Sequence, residues 1–176
     1  MIGIPIGLAV SNASEWFIHK YVLHGLALDK KSFWSFHWRE HHRNCRKNDN
    51  RDPDYDEPLF RKWNGQSKEA MMLMLSGAAY LPLLPIAPFF VGTVWYCSAN
   101  YYRKHKRAHR DVEWGRKHLP WHYDHHMGPN QHSNWCVTKP WFDIIMGTRE
   151  PYLGTERERR DSEKRQGRVA AAAAAT

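Results

Sequence analysis

Residues 1–14 carry no charge and are mostly small or apolar. They run through Glu15, Trp16 and Phe17 into a stretch that reads as helix to about Leu28. From Asp29 to about Arg46 the chain is charged and rich in histidine. Residues 47–58, KNDNRDPDYDEP, are polar, acidic and marked by proline, the pattern of a loop. Residues 70–102 contain no Asp, Glu, Lys, Arg or His. That run exceeds the ~20 residues of one membrane span. Pro82, Pro85 and Pro88 interrupt it, and prolines so close together break a helix. It therefore predicts two helices joined by a proline-rich turn, as a membrane hairpin first and a buried hairpin second. The chain turns basic at once after Tyr102, then aromatic and histidine-rich from about Trp114 to Thr148. Residues 155–176 form a charge run ending in AAAAAT, with no large apolar face. They read as a surface tail, disordered at its end. The expected organisation is one domain over 1–154 followed by that tail.

Composition narrows this picture. A net charge of +8 points to an anionic partner, either nucleic acid or a membrane face. Cys45, Cys97 and Cys136 form no CxxC pair, so neither a disulfide framework nor a thiolate zinc site is expected. The N-terminus has no basic region before its apolar stretch, so a cleaved signal peptide is not expected. Nine Trp and eight Tyr suit a dense core or an interfacial belt. The mean hydropathy of -0.73 argues against a chain made mostly of spans.

The chemistry lies in twelve histidines, ten of them in four tight groups. These are His19 and His24 in HKYVLH, His37, His41 and His42 in HWREHH, His105 and His109 in HKRAH, and His122, His125 and His126 in HYDHH. Spacings of three or four put two imidazoles on one helix face, as a metal requires. The spacing of five in His19/His24 does not align on a regular α-helix. It calls for two different metals or a local distortion. Imidazole suits Zn, Cu, Fe and Ni. One structural zinc takes four ligands, whereas ten histidines suffice for two ions with about five each. A di-metal centre with open positions fits O2 chemistry better than a structural role. His118 and His132 stand outside the groups, and His118, which precedes His122 by four, is left open as a ligand. Asp124, Glu40 and Asp111 are candidate acceptors for imidazole N–H groups.

Together these boxes resemble the fatty acid hydroxylase and sterol desaturase superfamily. EWFIHKYVLHG looks like its first box and FHWREHHRN like its second. HYDHHMGPNQHSNWCVTKPWFDIIMGT looks like its third box and closing segment, with Trp141, Phe142, Asp143, Gly147 and Thr148 in the closing positions. The likeness covers roughly residues 10–150. It implies an O2-dependent membrane oxidoreductase with two iron ions, which zinc can replace on purification. The implied reaction is hydroxylation or desaturation of a lipid such as a fatty acyl chain or sterol. The implied partners are a membrane and an electron donor of the ferredoxin or cytochrome b5 type with its reductase, and no nucleic acid. A carotenoid hydroxylase of the same superfamily, or a non-catalytic metal-binding membrane protein, is the alternative. The expected fold is an all-α, membrane-embedded bundle. Its proline-broken hairpin would carry a histidine-rich cap at the cytoplasmic face, because basic residues flank both ends of 70–102.

Overall fold

The computed structural model describes residues 1–174, with side chains from 1 to 167. It is all-α, with no strand among the described residues. Helix α1 (Gly3–Phe17) continues into a π-helical turn, Ile18–Leu23. After a short 3-10 turn at Leu26–Leu28, a second π-helical segment, His37–His42, leads into α2 (Arg43–Lys47). A 3-10 turn at Pro53–Asp56 precedes α3 (Gly65–Ala78). The chain reverses through a 3-10 turn at Leu81–Leu83, and α4 (Pro88–Arg110) returns. Short helices α5 (Val112–His118), α6 (Pro120–Met127) and α7 (Trp141–Ile145) follow, then α8 (Glu156–Ala174).

Local chemistry sets these boundaries. Asn64 caps α3 by accepting from Ser67 N, and Asp111 caps α5 by accepting from Trp114 N. Proline occupies the start of both α4 and α6, where its missing N–H costs nothing. Helix α4 is the central element and packs against α1, α3 and α5. Its contact with α1 is close because GIPIG brings small residues to the seam. A Cβ on Gly3 would lie 2.7 Å from Phe90 N, and one on Gly7 would lie 2.7 Å from Thr93 Cβ.

The apolar core is broken into small clusters around the histidines. Tyr101, Ala108, Leu119 and Val137 form one, and Trp16, Trp135 and Cys136 another. Tyr123, Met127 and Tyr152 form a third. The 155–176 stretch, expected as a loose tail, is helical from Glu156 to Ala174. Arg116 binds Glu158 at 3.2 Å, and Arg165 lies 3.4 Å from Asp49. Its expected disordered end, 175–176, lies outside the described residues.

The membrane-embedded part of the expected fold is overturned. Among the described residues, no helix is long and apolar enough to cross a membrane. With it falls the placement of the histidine cap at the cytoplasmic face of a membrane. The physical reason is how the uncharged run is divided. Only residues 70–78 of it belong to α3, about 14 Å of helix, and 88–102 to α4, about 22 Å, against a hydrocarbon core of ~30 Å. The rest of α4 carries Arg103, Lys104, Lys106, Arg107 and Arg110.

The α1–α4 seam generates the first prediction. Gly7→Val is expected to force the two helices apart and to cost about 2 kcal/mol, as overpacking of a tight site does. At this chain length that lowers the melting temperature by roughly 4–8 °C, readable by circular dichroism.

Candidate metal centre

Two π-helical segments solve the spacing problem. In a π-helix the bond runs from i to i+5, and His24 N donates to His19 O at 3.0 Å. Residues five apart therefore stack, which an α-helix does not allow. The same holds for His37 and His42, whose Nε2 atoms are 3.2 Å apart. His19 Nε2 lies 3.0 Å from that of His37, and His24 Nε2 lies 3.0 Å from that of His42. His125, from α6, brings its Nε2 to 3.1 Å from His42. His19, His24, His37, His42 and His125 thus form one buried group.

His41 points away from these, into a second group with His105, His109 and His126. His105 and His109 are one α-helical turn apart, with Nε2 atoms at 3.2 Å. His122 joins from α6, its Nε2 2.9 Å from that of His109. The groups are adjacent: the rings of His42 and His126 are 4.4 Å apart between centroids. All ten clustered histidines are at most 4% exposed.

Five of the ten Nδ1 atoms are held by specific acceptors, and His42 Nδ1 accepts from Gln131 Nε2 at 2.8 Å. His19 Nδ1 donates to Trp135 O, His109 Nδ1 to Asn50 O at 2.8 Å, and His125 Nδ1 to Ser133 O at 2.7 Å. His41 Nδ1 donates to Asp52 at 2.7 Å, and His105 Nδ1 to Glu69 at 2.5 Å. Each such bond places the proton on Nδ1 and turns the Nε2 lone pair inward. The 3.2 Å contact between His105 and His109 therefore joins two lone pairs, with no proton between them. His41 Nε2 and His126 Nε2 are buried with no partner at all.

Such an arrangement is repulsive unless a cation sits at the convergence. With a metal about 2.1 Å from each nitrogen, neighbouring nitrogens lie about 3.0 Å apart at 90° and about 3.4 Å apart at the tetrahedral angle. The observed 2.9–3.2 Å contacts match the former. The residues fit metal ions with more than four ligand positions, and these buried groups can hold a metal ion.

Electrostatics agrees with ligands kept neutral. Burial pushes His19 down to about 4 and His109 to about 3. Burial, then the neighbouring histidines, depress His24, His37, His42, His105, His122 and His126. His125 is also lowered by burial, against the pull of the Ser133 carbonyl. Burial acts to raise Asp52, but its hydrogen bonds from His41 and Asn44 hold it below the usual carboxylate range. Burial lifts Glu69 to about 7, against the hydrogen bond that it accepts from Tyr55.

The outer acceptors differ from those expected. Asp124 pairs with Arg149 at 2.7 Å and accepts from Leu153 N. Glu40 faces Lys68, and Asp111 caps α5. None of the three holds an imidazole. Asp52 and Glu69 do, one from a loop and one from the approach to an uncharged run. Neither position carries a local signal for that role. Asp52 is placed by the turn that it caps and by Asn44, which donates to it at 2.9 Å. The carbonyls are placed by positive-φ residues, Asn50 among them. His118 is exposed and stacks on Trp114. His132 is exposed too, stacked on Trp38 beside His24.

The closing segment has a mechanical role. Asp143 accepts from Trp135 N and Cys136 N, each at 2.8 Å, and from Thr148 Oγ1. Thr148 Oγ1 in turn receives Trp16 Nε1 at 2.9 Å. Glu15 accepts from Val137 N, Thr138 N and the Thr138 hydroxyl. Burial lifts Glu15 to about 7 against these bonds. The strand of chain so pinned, 133–138, supplies the carbonyls that hold His19 and His125.

No family model, curated protein or solved structure matches this chain.

Two outcomes follow from the geometry. A histidine whose folded pKa lies below 6.5 contributes stability that is full above 6.5 and is lost as pH falls through the folded value. Metal-free protein is thus expected to melt at progressively lower temperature from pH 6.5 down to about 4. The His19 shift alone is on the order of 3 kcal/mol. A melting temperature flat across that window would show that these imidazoles are not buried as neutral groups. Separately, Asp52→Asn is expected to weaken metal binding 10–100-fold in a chelator competition. His132→Ala, which removes an exposed ring, leaves it unchanged.

Proposed function

We propose that this chain is an O2-dependent, non-haem di-iron oxidoreductase that hydroxylates or desaturates a lipid such as a fatty acyl chain or sterol. One observation carries the reading. Two adjacent, all-imidazole groups, one of five and one of four with His122 beside His109, open at His19, His37, His41 and His105 onto a largely apolar cavity of about 440 Å3. A structural zinc site is closed by four ligands. A pair of larger sites facing a cavity of ligand size is arranged for a reaction. The four histidine boxes and the closing segment, in their resemblance to the fatty acid hydroxylase and sterol desaturase superfamily, support the same class.

Bound iron would supply the reduction of O2 and the oxidation of an unactivated C–H bond. The chain's own residues do the rest. The imidazoles bring no charge to the ions, and Asp52, Glu69 and the three carbonyls fix their orientation. Val10, Val22, Leu23, Met72, Leu73 and Val94 line the approach and keep it dry. Tyr55 donates to Glu69 at 2.6 Å and also lines the cavity, so a hydroxyl stands at the border of ligand shell and substrate space. Electrons come from outside the chain, from a donor of the ferredoxin or cytochrome b5 type. Arg103, Lys106, Arg107 and Arg110 on the turns of α4 that carry His105 and His109, with Arg51 from the loop before α3, form a mainly basic surface in which Asp56 pairs with Arg51 and Arg110. Such a surface favours an acidic donor.

Elemental analysis of iron-reconstituted protein is expected to give close to two ions per chain. O2 uptake should require a reductant and a lipid extract. His42→Ala and His126→Ala, one from each group, should each lower the metal content and abolish uptake. Full metal content with no lipid-dependent uptake under any donor would reduce the protein to a metal binder.

A further inference from the structure

The cavity wall is largely apolar, and its polar groups away from the histidines include Ser14, Glu15 and Glu69 and a set of hydroxyls further out. Ser11 on α1, Ser76 on α3 and Ser98 on α4 all line it. Counting along each helix puts the three hydroxyls at a common height. Ser11 precedes His19 by eight residues, and Ser98 precedes His105 by seven. Ser76 follows Glu69, the carboxylate that holds His105, by seven. At 1.5 Å per residue each separation is about 10–12 Å. The packing register agrees. Gly7 meets Thr93, so Ser11 and Cys97 face each other one turn further along these parallel helices. Gly77 meets the Trp95 ring, which brings Ser76 to the same height.

These hydroxyls have bonding capacity to spare. Ser11 Oγ is buried without a partner of ordinary geometry, and the Cys97 thiol beside it is a weak one. Ser98 Oγ donates to Val94 O at 3.1 Å, which leaves its lone pairs free to accept. No lysine or arginine lines the cavity, so nothing there receives an anionic head group. The ionisable side chains at the wall that could carry negative charge, Glu15 and Glu69, repel one.

We propose that Ser11, Ser76 and Ser98 form a polar subsite that holds a neutral hydroxyl of an otherwise apolar substrate, about 10–12 Å from the histidines. Ser11 donates to that hydroxyl and Ser98 accepts from it. The fixed distance then selects which carbon reaches the metal centre. The substrate is an uncharged alcohol, either a long-chain alcohol or a hydroxylated ring system, and not a free fatty acid anion. That the far end is the reacting end rests on the oxygenase reading. The binding of the hydroxyl does not.

Equilibrium binding of labelled decan-1-ol and decane to the full chain tests this without iron turnover or O2. Ser11→Ala/Ser98→Ala keeps both helices and removes both hydroxyls. It is expected to weaken decan-1-ol about tenfold, the worth of one to two hydrogen bonds, and to change decane less than twofold. Equal loss for both ligands would make the serines mere wall, and an unchanged decan-1-ol affinity would remove the subsite. Failure of the wild type to bind either ligand would also overturn the proposal. Normal discrimination in a protein that never consumes O2 would leave the subsite standing and fail the oxygenase reading instead.

Discussion

Ten imidazoles share one dry interior, and the Nε2 lone pairs of His19, His41, His105, His109 and His125 point inward among them. That repulsion is the constraint around which the rest of the molecule is arranged. A buried polar nitrogen without a partner costs about 1–3 kcal/mol, and His41 Nε2 and His126 Nε2 have none. At His126 and His105 protonation does not relieve it, because burial and the neighbouring rings push both well below the usual histidine range. A cation at each convergence relieves it for a whole group at once. Binding energy of that kind becomes folding energy, so a metal held by these groups would couple its loading to stability.

Holding the rings against their own repulsion requires backbone that is not regular. The two π-helical segments exist where histidines five apart must stack. The loop 48–57 carries Asn50 and Asp52 to His109 and His41, and its tie to α4 is the bond from Asp52 N to His109 O at 3.2 Å. The segment 133–138 carries the carbonyls for His19 and His125, and is itself held by Glu15 and Asp143. The support therefore runs three deep, from carboxylate to backbone to imidazole. Loss of Asp143 would act on His19 and His125 without touching either.

The cavity shows the same economy of position. Helices α1, α3 and α4 deliver ligand or ligand-holding residues at one end, and a level of serines about two turns away. Because helices are rigid rods of fixed rise, the distance between the two levels is set by residue count. Under the proposed subsite, that level of hydroxyls acts as a ruler for the ligand. The close α1–α4 seam at Gly3 and Gly7 keeps two of those rods in register.

The buried histidine groups were legible in the sequence because three-, four- and five-residue spacings are local facts, and a helical chain of either pitch turns them into stacked rings. The all-α class and the reversal at Pro82–Pro88 were legible for the same reason, since proline acts on its own turn. The misfit of His19 and His24 on an α-helix was visible too, and the π-turn is its resolution. Spanning was not legible: an uncharged run of 33 residues reads as membrane until its division among α3, the turn and α4 is known. Nor were Asp52 and Glu69, which sit 11 and 36 positions from the histidines they hold. Asp124, closer in sequence to three histidines, turns instead to Arg149. Which imidazole joins which group was also decided in three dimensions, with His41 and His42 parting to opposite sides although they are neighbours. Spacing along the chain determines what one helix can present. The partner of a buried nitrogen is whatever the tertiary packing brings within 3 Å, and chain distance says nothing of that.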